Sequence, residues 1–420
     1  MRSLSQSFLG SFLLASLLLA TITDARRVRG DGSAKVNGYY PTYNSDAQSP
    51  AQIDWAAYTD VLFFPIIPEK DGSLSFDPAL SKQQASDLVK GFVEEAQKHK
   101  VNPVFSVGGW TASQQFSNLA ATAASRHHFA QSLVNFAKQH RFTGLDLDWE
   151  YPNGDGIGCN TKRPTDVVNF GLLVKEIRAL WPEGELSAAV SLNGFNGATG
   201  LVATAEETAL LAKNLDYINL MAYDVYGLWS KTSGPIAPLD ATCADEDSAQ
   251  SVKTGFQIAL KQGFKASQVL LGIPGYAKRF QLTSSKLVPK IVGGNKASFY
   301  YQQKTATMPP GGAFDDKAGK NICGVFEGAG GSYLVNELIS NGYLAQDQSR
   351  GLGGYRRHFD NCSGQPFLVS KKYLISYDDK ASTVLKAKFA KKNKMGGIYF
   401  FDTMGPAKET VREARKVFSN

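Results

Sequence analysis

The chain has 420 residues, of which 43% are hydrophobic and 20% are charged, and its formal net charge is +7. This length and apolar content can build one large domain or two ordinary ones, and they exclude a disordered or fibrous protein. Because the Lys and Arg residues are spread along the sequence rather than gathered in one basic element, we interpret the charge as a solvated surface and expect no nucleic-acid binding.

The first 25 residues are typical of a secretory signal peptide. Arg2 precedes an apolar run from Phe8 to Ala20, and the small-residue pattern Thr23-Asp24-Ala25 follows at a suitable cleavage position. The alternative is a membrane anchor, but the run is shorter than the roughly 20 apolar residues that cross a bilayer. We therefore predict a signal peptide at residues 1–25, a secreted, extracellular protein and no membrane association.

From residue 36 onward, short apolar runs alternate with amphipathic helical segments. The runs are near-continuous, which is typical of parallel strands that are covered on both faces. The predicted strands are Val36–Tyr40, Val61–Ile66, Pro103–Val107, Gly144–Trp149, Leu186–Leu192, Tyr217–Tyr223, Val269–Ile273 and Gly397–Phe401. The predicted helices between them include Ser81–Lys98, Ser125–His140, Thr165–Leu180, Ala205–Leu215 and Ser248–Gln262. Repeated βα units of this kind predict an α/β fold that closes as a (β/α)8 TIM barrel.

One long interruption separates the seventh predicted strand from the eighth. Residues 280–375 are rich in Gly, Tyr and Lys and exceed the usual barrel loop. We predict that they form a small α+β insertion subdomain, and that residues 26–279 and 376–420 form the barrel.

The fourth predicted strand carries three carboxylates at alternate positions, Asp146, Asp148 and Glu150. Alternate residues of a strand point to one side, so the acids would face the barrel interior while the apolar residues between them, including Trp149, face the helices. Neighbouring buried carboxylates cannot all ionise cheaply, so at least one pKa should be raised, as a general acid near neutral pH requires. The alternatives are an acidic patch on a solvated edge strand and a cation site, and the intervening apolar residues argue against both. Glu150 lies nearest the C-terminal end of the strand, where catalytic residues of such barrels lie.

Four cysteines lie at positions 159, 243, 323 and 362 and lack the C-x-x-C spacing of a metal site. In an exported chain they suit two disulfides. Among the three pairings that four cysteines allow, we expect Cys159–Cys243 and Cys323–Cys362, the first joining loops on one face of the barrel.

The acid-bearing strand resembles the catalytic motif of glycoside hydrolase family 18, the chitinases and their relatives, because D-x-D-x-E ends the strand and Tyr-Pro follows. Three further segments resemble family motifs in the family's order: S-x-G-G at Phe105–Trp110, M-x-Y-D at Met221–Asp224 and G-x-P-x-Y at Gly272–Tyr276. The resemblance spans residues 36–404. It also gives the insertion a place, since the family's insertion domain follows strand seven and deepens the substrate cleft.

The resemblance implies a retaining hydrolysis of chitin or chitooligosaccharides in which the substrate provides the nucleophile. Glu150 would protonate the glycosidic oxygen, and the N-acetyl carbonyl would attack the anomeric carbon to form an oxazolinium ion. Asp148 would hydrogen-bond the acetamido N–H, and Asp146 would hold a proton for Asp148. Tyr223 would bond the acetamido oxygen, and Asp224 would contact the distorted sugar. No metal ion or organic cofactor is implied, and we expect a monomer.

Aromatic residues near strand ends are candidate sugar-binding residues, because the apolar faces of sugars stack on aromatic rings. Trp110 and Trp229 are the leading candidates, with a structural tryptophan as the alternative for each. Further candidates for substrate binding are Tyr39, Tyr276, Phe401 and Gly109.

Two positions depart from the family pattern. Thr143 stands where the extended motif begins with an aspartate, which should alter proton sharing among the acids. Phe401 stands where a tryptophan is usual at the end of strand eight, and its smaller ring would weaken stacking or change substrate preference. Neither change removes a reacting group.

Two other functions stay open at this point. Some family members bind chitin oligosaccharides without cutting them, as lectins or scavengers, and usually lack the acid corresponding to Glu150. Others are endo-N-acetylglucosaminidases that act on N-linked glycans and commonly lack the insertion. The presence of Glu150 and of the long insertion favours a chitinase over both.

Overall fold

The computed structural model describes residues 34–244, 249–292 and 296–419. The predicted signal peptide, residues 1–25, lies outside the described residues. Within the described part of the chain, no helix is long and apolar enough to cross a membrane.

Eight parallel strands form a closed barrel, because the first strand pairs with both the second and the last. The barrel strands are β1 (Lys35–Pro41), β2 (Asp60–Pro68), β3 (Asn102–Gly108), β4 (Gly144–Asp148), β5 (Glu185–Ser191), β6 (Tyr217–Met221), β7 (Val269–Pro274) and β8 (Gly397–Phe401). The predicted TIM barrel is confirmed. Three strands end earlier than predicted, β4 at Asp148, β5 at Ser191 and β6 at Met221. Glu150 and Tyr223 therefore each lie just past the end of a strand.

Helices surround the barrel and pack their apolar faces on the outer side of the strands. The helices of the described residues are α1 (Lys82–His99), α2 (Phe116–Ala121), α3 (Ala123–His140), α4 (Asp166–Leu180), α5 (Ala209–Asn214), α6 (Val252–Lys261), α7 (Val335–Ser340), α8 (Lys380–Lys392) and α9 (Lys408–Ser419). Side chains cap several N-termini, as where the Ser81 hydroxyl accepts a hydrogen bond from the backbone N–H of Gln84 at α1. Neither α2 nor α8 was predicted from the sequence.

The main core lies between the strands and the helices. Trp149 is 1% exposed there and packs on Phe116 of α2 and Phe170 of α4, each with ring centroids 5.3 Å away. The predicted orientation of Trp149 toward the helix layer is therefore confirmed. A smaller apolar cluster, which includes Tyr39 and Tyr399, lies inside the barrel.

Between β7 and β8 the chain builds a second, antiparallel sheet of five strands. Their spatial order is Ser332–Leu334, Tyr276–Gln281, Tyr373–Ser376, Gln365–Val369 and Arg356–Asp360. Helix α7 packs with this sheet around its own apolar cluster. Two short hairpins extend from the same region, one pairing Lys290–Val292 with Lys296–Ser298 and the other pairing Gly319–Lys320 with Phe326–Glu327.

The predicted disulfide pairing was wrong. The bonds are Cys159–Cys323 and Cys243–Cys362. The first joins the loop after β4 to the hairpin at residues 319–327, and the second joins the loop after β6 to the turn between two strands of the inserted sheet. Both bonds therefore tie the barrel to the insertion. The prediction failed because it paired each cysteine with another in its own part of the chain.

Candidate active site

The three acids of the β4 motif lie together inside the barrel, and their exposure rises toward its mouth. Asp146 is 0% exposed, Asp148 is 4% and Glu150 is 9%. Because β4 ends at Asp148, Glu150 stands at the start of the following loop, nearest to solvent. The outermost acid is thus the one that a ligand in the mouth would meet first.

Asp146 is saturated with hydrogen bonds from four other strands of the barrel. Its carboxylate accepts from the hydroxyls of Tyr39 (2.8 Å), Ser106 (2.7 Å) and Ser187 (2.6 Å) and from the amide of Asn219 (3.1 Å). Burial raises the pKa of this carboxyl, and the four donors oppose the rise. Asp146 is therefore held rigidly at the base of the site.

Asp148 is buried between the other two acids and has far fewer partners. Its Oδ1 atom has no hydrogen-bond partner among the described residues. Burial raises the pKa of Asp148 well above its ordinary value, and the charges of Glu150 and Asp146 raise it further. The site thus holds an unused acceptor atom beside the outer acid.

Glu150 combines a raised pKa with a fixed backbone. Burial raises the pKa of its carboxyl to about 7; a hydrogen bond with Tyr151 opposes the rise, and the charge of Asp224 adds to it. The backbone N–H of Glu150 donates to the Ser113 hydroxyl (2.9 Å), and its carbonyl accepts from the Asn160 side chain (2.7 Å). Sequence reasoning missed Ser113 and Asn160, since neither belongs to a motif.

Tyr223 and Asp224 follow β6, which is separated from β4 by one strand of the barrel. The hydroxyl of Tyr223 lies 3.1 Å from that of Tyr399, which comes from β8. Asp224 is exposed and adopts a left-handed backbone with φ 56°. The Tyr276 hydroxyl donates to the Asp224 carboxylate, so this predicted site residue lies beside the other two.

Aromatic rings form the floor of the mouth. Phe401 is half-buried, and its ring centroid lies 5.5 Å from that of Tyr39, 5.7 Å from that of Phe64 and 6.2 Å from that of Tyr223. Tyr39 is only 2% exposed and donates to Asp146, so it supports the acids from below rather than lining open space. Sequence reasoning missed Phe64, although it lies within a predicted strand.

Both predicted tryptophans lie at the surface. Trp110 is 45% exposed in the loop after β3, and Trp229 is 66% exposed in the loop after β6. Tyr43, which follows β1, is 47% exposed and packs edge-on against Phe64 with centroids 6.5 Å apart. Tyr43 is a further exposed aromatic beside the floor, and its position three residues past the predicted strand end could have identified it.

Steric crowding at position 109 requires a glycine. It has φ 95°, and an added Cβ would lie 2.7 Å from the ring of Phe64 and 3.7 Å from a carboxylate oxygen of Asp148. Its N–H donates to the Asp148 carbonyl at 2.7 Å. A side chain at position 109 would therefore fill the space above the floor and next to the acids.

Thr143 lies at the far end of β4 from the mouth. It is 6% exposed, and its hydroxyl donates to the carbonyl of Pro103 at 3.1 Å. Thr143 is not among the four hydrogen-bond donors to Asp146.

The arrangement offers acid catalysis. It provides one carboxyl whose pKa of about 7 lets it hold a proton in the neutral range, one buried acceptor without a hydrogen-bond partner among the described residues, and the paired hydroxyls of Tyr223 and Tyr399. Within residues 34–244, 249–292 and 296–419, no set of three or more His, Cys, Asp or Glu side chains is arranged to hold a metal ion.

Comparisons with known proteins identify the family of the chain. Residues 35–405 match the family model of glycosyl hydrolases family 18. A chitinase-like effector of Moniliophthora roreri is 34% identical over 405 residues, covering 96% of this chain and 95% of that protein. Chitinase A1 of Niallia circulans is 32% identical over 348 residues, covering 78% of this chain and 44% of that protein. The crystal structure of a Rhizomucor miehei chitinase superposes with a TM-score of 0.77 at 26% identity, covering 91% of this chain and 99% of that one.

Proposed function

The chain belongs to the glycosyl hydrolases family 18, and on that premise we propose that it is a secreted chitinase that hydrolyses β-1,4 linkages between N-acetylglucosamine units. The two disulfides suit an oxidising, extracellular compartment. The reaction we propose is retaining, and the substrate's own acetamido group serves as the nucleophile.

Glu150 is the general acid in this proposal. A carboxyl with a pKa of about 7 still carries its proton over much of the neutral range and can pass it to the glycosidic oxygen. An ordinary glutamate would be ionised at that pH and could not. The position of Glu150 at the end of β4 supports this role, since bound sugar would lie above the strand ends.

The unpartnered Oδ1 atom of Asp148 is the observation that carries the proposal. Leaving a buried acceptor without a donor is costly, so such an atom indicates a ligand donor. The acetamido N–H of N-acetylglucosamine is a donor of the right kind. By accepting from it, Asp148 would orient the acetamido carbonyl toward the anomeric carbon and balance the charge of the oxazolinium ion. Asp146, held by its four donors, would exchange a proton with Asp148.

The remaining residues would hold the sugar. Tyr223 would donate to the acetamido oxygen, and Asp224, fixed by Tyr276, would contact a sugar hydroxyl. Phe401 would stack under the sugar ring, and the exposed Trp110 and Trp229 would stack further units on the two sides of the mouth.

A second candidate function is oligosaccharide binding without turnover. It is favoured by the similarity along most of the chain to a protein described as a chitinase-like effector. The smaller ring at Phe401 would weaken stacking under the reacting sugar. The intact set of Glu150, Asp148 and Asp146 supports turnover instead.

Incubation of the purified protein with chitotetraose and chitohexaose, followed by mass spectrometry of the products, tests the proposal. We expect cleavage, with product sizes that report whether attack is internal or terminal. Glu150→Gln should lower kcat by about a thousandfold, because the amide keeps the shape and has no acidic proton, while chitotetraose affinity stays within about tenfold. Glu94→Gln on the outer side of α1 is a matched control and should change neither quantity.

Each outcome decides a separate point. Oligomer binding with no cleavage at any length would favour the binding-only function. Cleavage that survives Glu150→Gln would remove Glu150 from the mechanism.

A further inference from the structure

The backbone of the outer acid is held from two sides by side chains of two different loops. The N–H of Glu150 donates to Ser113, in the loop after β3, at 2.9 Å. Its carbonyl accepts from Asn160, ten residues further along the chain, at 2.7 Å. Glu150 lies past the end of β4 and is outside the strand pairing of the sheet. These two hydrogen bonds therefore fix its main chain instead.

The loop that carries Asn160 packs closely on the Glu150 carbonyl. Gly156 has φ 51°, and an added Cβ would lie 2.1 Å from that carbonyl oxygen and 2.3 Å from the Asn160 amide nitrogen. Only a glycine allows the loop to turn back this tightly. The same loop is also closed at its start, where the N–H of Gly154 donates to the Tyr151 carbonyl at 3.0 Å.

Cys159, the residue before Asn160, is bonded to Cys323 at the turn of the 319–327 hairpin. The hairpin is stiffened by Asn321, whose side-chain oxygen accepts from the N–H groups of Cys323 (2.9 Å) and Val325 (3.0 Å). The Asn321 amide donates to Glu327 across the hairpin at 2.8 Å. The loop after β4 is thus attached by a disulfide to a hairpin of the insertion that Asn321 braces internally.

We propose that Asn160 is a positioning residue for Glu150 and that the Cys159–Cys323 disulfide anchors Asn160 to the insertion. This inference rests on the proposed hydrolase function. Asn160 acts through the Glu150 main chain and does not touch the reacting atoms. Because proton transfer requires the acid within hydrogen-bond reach of the glycosidic oxygen, a small displacement of Glu150 lowers kcat more than it weakens sugar binding.

A double-mutant cycle tests the proposal. Asn160→Ala should lower kcat about tenfold with KM within about twofold. Asn160→Asp keeps the shape, removes the amide donor and should cause the same loss. The paired change Cys159→Ser with Cys323→Ser should lower kcat about fivefold. Asn160→Ala combined with the two cysteine changes should lower kcat about tenfold rather than fiftyfold, since loss of the disulfide and loss of the Asn160 amide act through the same contact with Glu150.

The second disulfide is the matched control. Cys243–Cys362 closes a loop of 119 residues and Cys159–Cys323 one of 164, so loss of either should lower the thermal midpoint by a similar amount. Cys243→Ser with Cys362→Ser should leave kcat within about twofold and should combine multiplicatively with Asn160→Ala. Equal effects of the two disulfides on kcat would mean a general loss of stability and would overturn the proposal.

Hydrogen exchange separates failure of this inference from failure of the proposed function. Amides of residues 150–160 should exchange faster in Asn160→Ala and in the Cys159/Cys323 variant, but not in the Cys243/Cys362 variant. If the wild type cleaves chitohexaose while Asn160→Ala keeps full kcat, the positioning role is wrong. If the wild type cleaves nothing, faster exchange would still establish the anchor and unchanged exchange would overturn it.

Discussion

The barrel interior holds buried carboxylates at both of its ends, and the two ends accommodate them in opposite ways. At the N-terminal end, Asp60 and Glu185 both bond to the ammonium of Lys35, at 2.9 and 3.0 Å. Asn102 also donates to Asp60 at 2.8 Å, and Tyr217 donates to Glu185 at 2.7 Å. This base cluster (Lys35, Asp60, Glu185, Asn102 and Tyr217) satisfies its charges internally.

At the C-terminal end, Asp148 and Glu150 have no ion pair among the described residues, and their pKa values are raised instead of being held down. One oxygen of Asp148 is unpartnered. The barrel can neutralise buried acids, as the base cluster shows, so the unsatisfied state of the mouth is a local property. Buried carboxyls with raised pKa values at the end of a barrel where ligands bind are typical of a catalytic site.

The largest effect is expected from removing the cation of the base cluster. Lys35→Met would leave two buried carboxylates without a positive partner and should lower the free energy of unfolding by about 4 kcal/mol. Activity measured below the melting range should be unchanged, because the base cluster lies at the opposite end of the barrel from the mouth. Thermal melts and chitohexaose turnover measure the two quantities.

Lys416→Met is the control, since Lys416 forms an exposed pair with Glu413 on α9 and its loss should not shift the melt. Loss of turnover in a folded Lys35→Met protein would contradict the separation of the two ends.

The next effect concerns pH. The pKa of Glu150 rises on folding from an ordinary 4.5 to about 7, so the folded state holds a proton that the unfolded state releases between these values. Stability should therefore fall as pH rises through this window, by about 3 kcal/mol more in the wild type than in Glu150→Gln. Lys35 of the base cluster adds no pH dependence of stability in this window. Burial lowers the pKa of the Lys35 ammonium, but the charges of Asp60 and Glu185 raise it above the ordinary 10.5, so Lys35 does not titrate there.

The same titration should limit catalysis. The value of kcat/KM should fall on the alkaline side with a midpoint near pH 7, as Glu150 loses its proton. Denaturant melts at several pH values and a pH–rate profile check the two statements. A midpoint near 4.5 would mean that Glu150 has the pKa of an exposed glutamate.

The two ends also differ in how far the sequence predicts them. The acids of the mouth lie at alternate positions along β4 and just past its end, so side-chain periodicity predicts them together. Lys35 and Asp60 come from the consecutive strands β1 and β2, but Glu185 comes from β5, and only the folded barrel brings its carboxylate to the Lys35 ammonium. The supporting residues Ser113 and Asn160 were missed because they lie in loops and belong to no motif, so only the folded loops show that they contact the Glu150 main chain.

The fold shows a similar division. The barrel strands were predicted because burial on both faces produces near-continuous apolar runs. Helix α8 was missed because its buried side includes Ser382, Thr383 and Lys386, which break the apolar stripe. Lys386 is buried against Asp378, a partner that no local pattern reveals. The disulfides were mispaired because the position of the insertion relative to the barrel depends on tertiary contacts.

The smallest and sharpest test makes the same substitution at both ends. Asp148→Asn should lower kcat about a hundredfold (about 2.7 kcal/mol), since the amide cannot balance the charge of the oxazolinium ion. It should leave the melting temperature unchanged or raise it. Burial and the charges of Glu150 and Asp146 raise the pKa of Asp148 well above its ordinary 3.8, so the ionised carboxylate destabilises the folded state, and an uncharged asparagine avoids that cost.

Asp60→Asn should do the reverse. The amide removes an anion from Lys35 and cannot accept as well from Asn102, so the melting temperature should fall while turnover below the melt is retained. If Asp→Asn changes the melting temperature in opposite directions at positions 148 and 60, the mouth keeps its acids at the expense of stability, as a ligand site would. If both variants lost stability alike, Asp148 would be a structural carboxyl, and the unpartnered oxygen would carry no functional meaning.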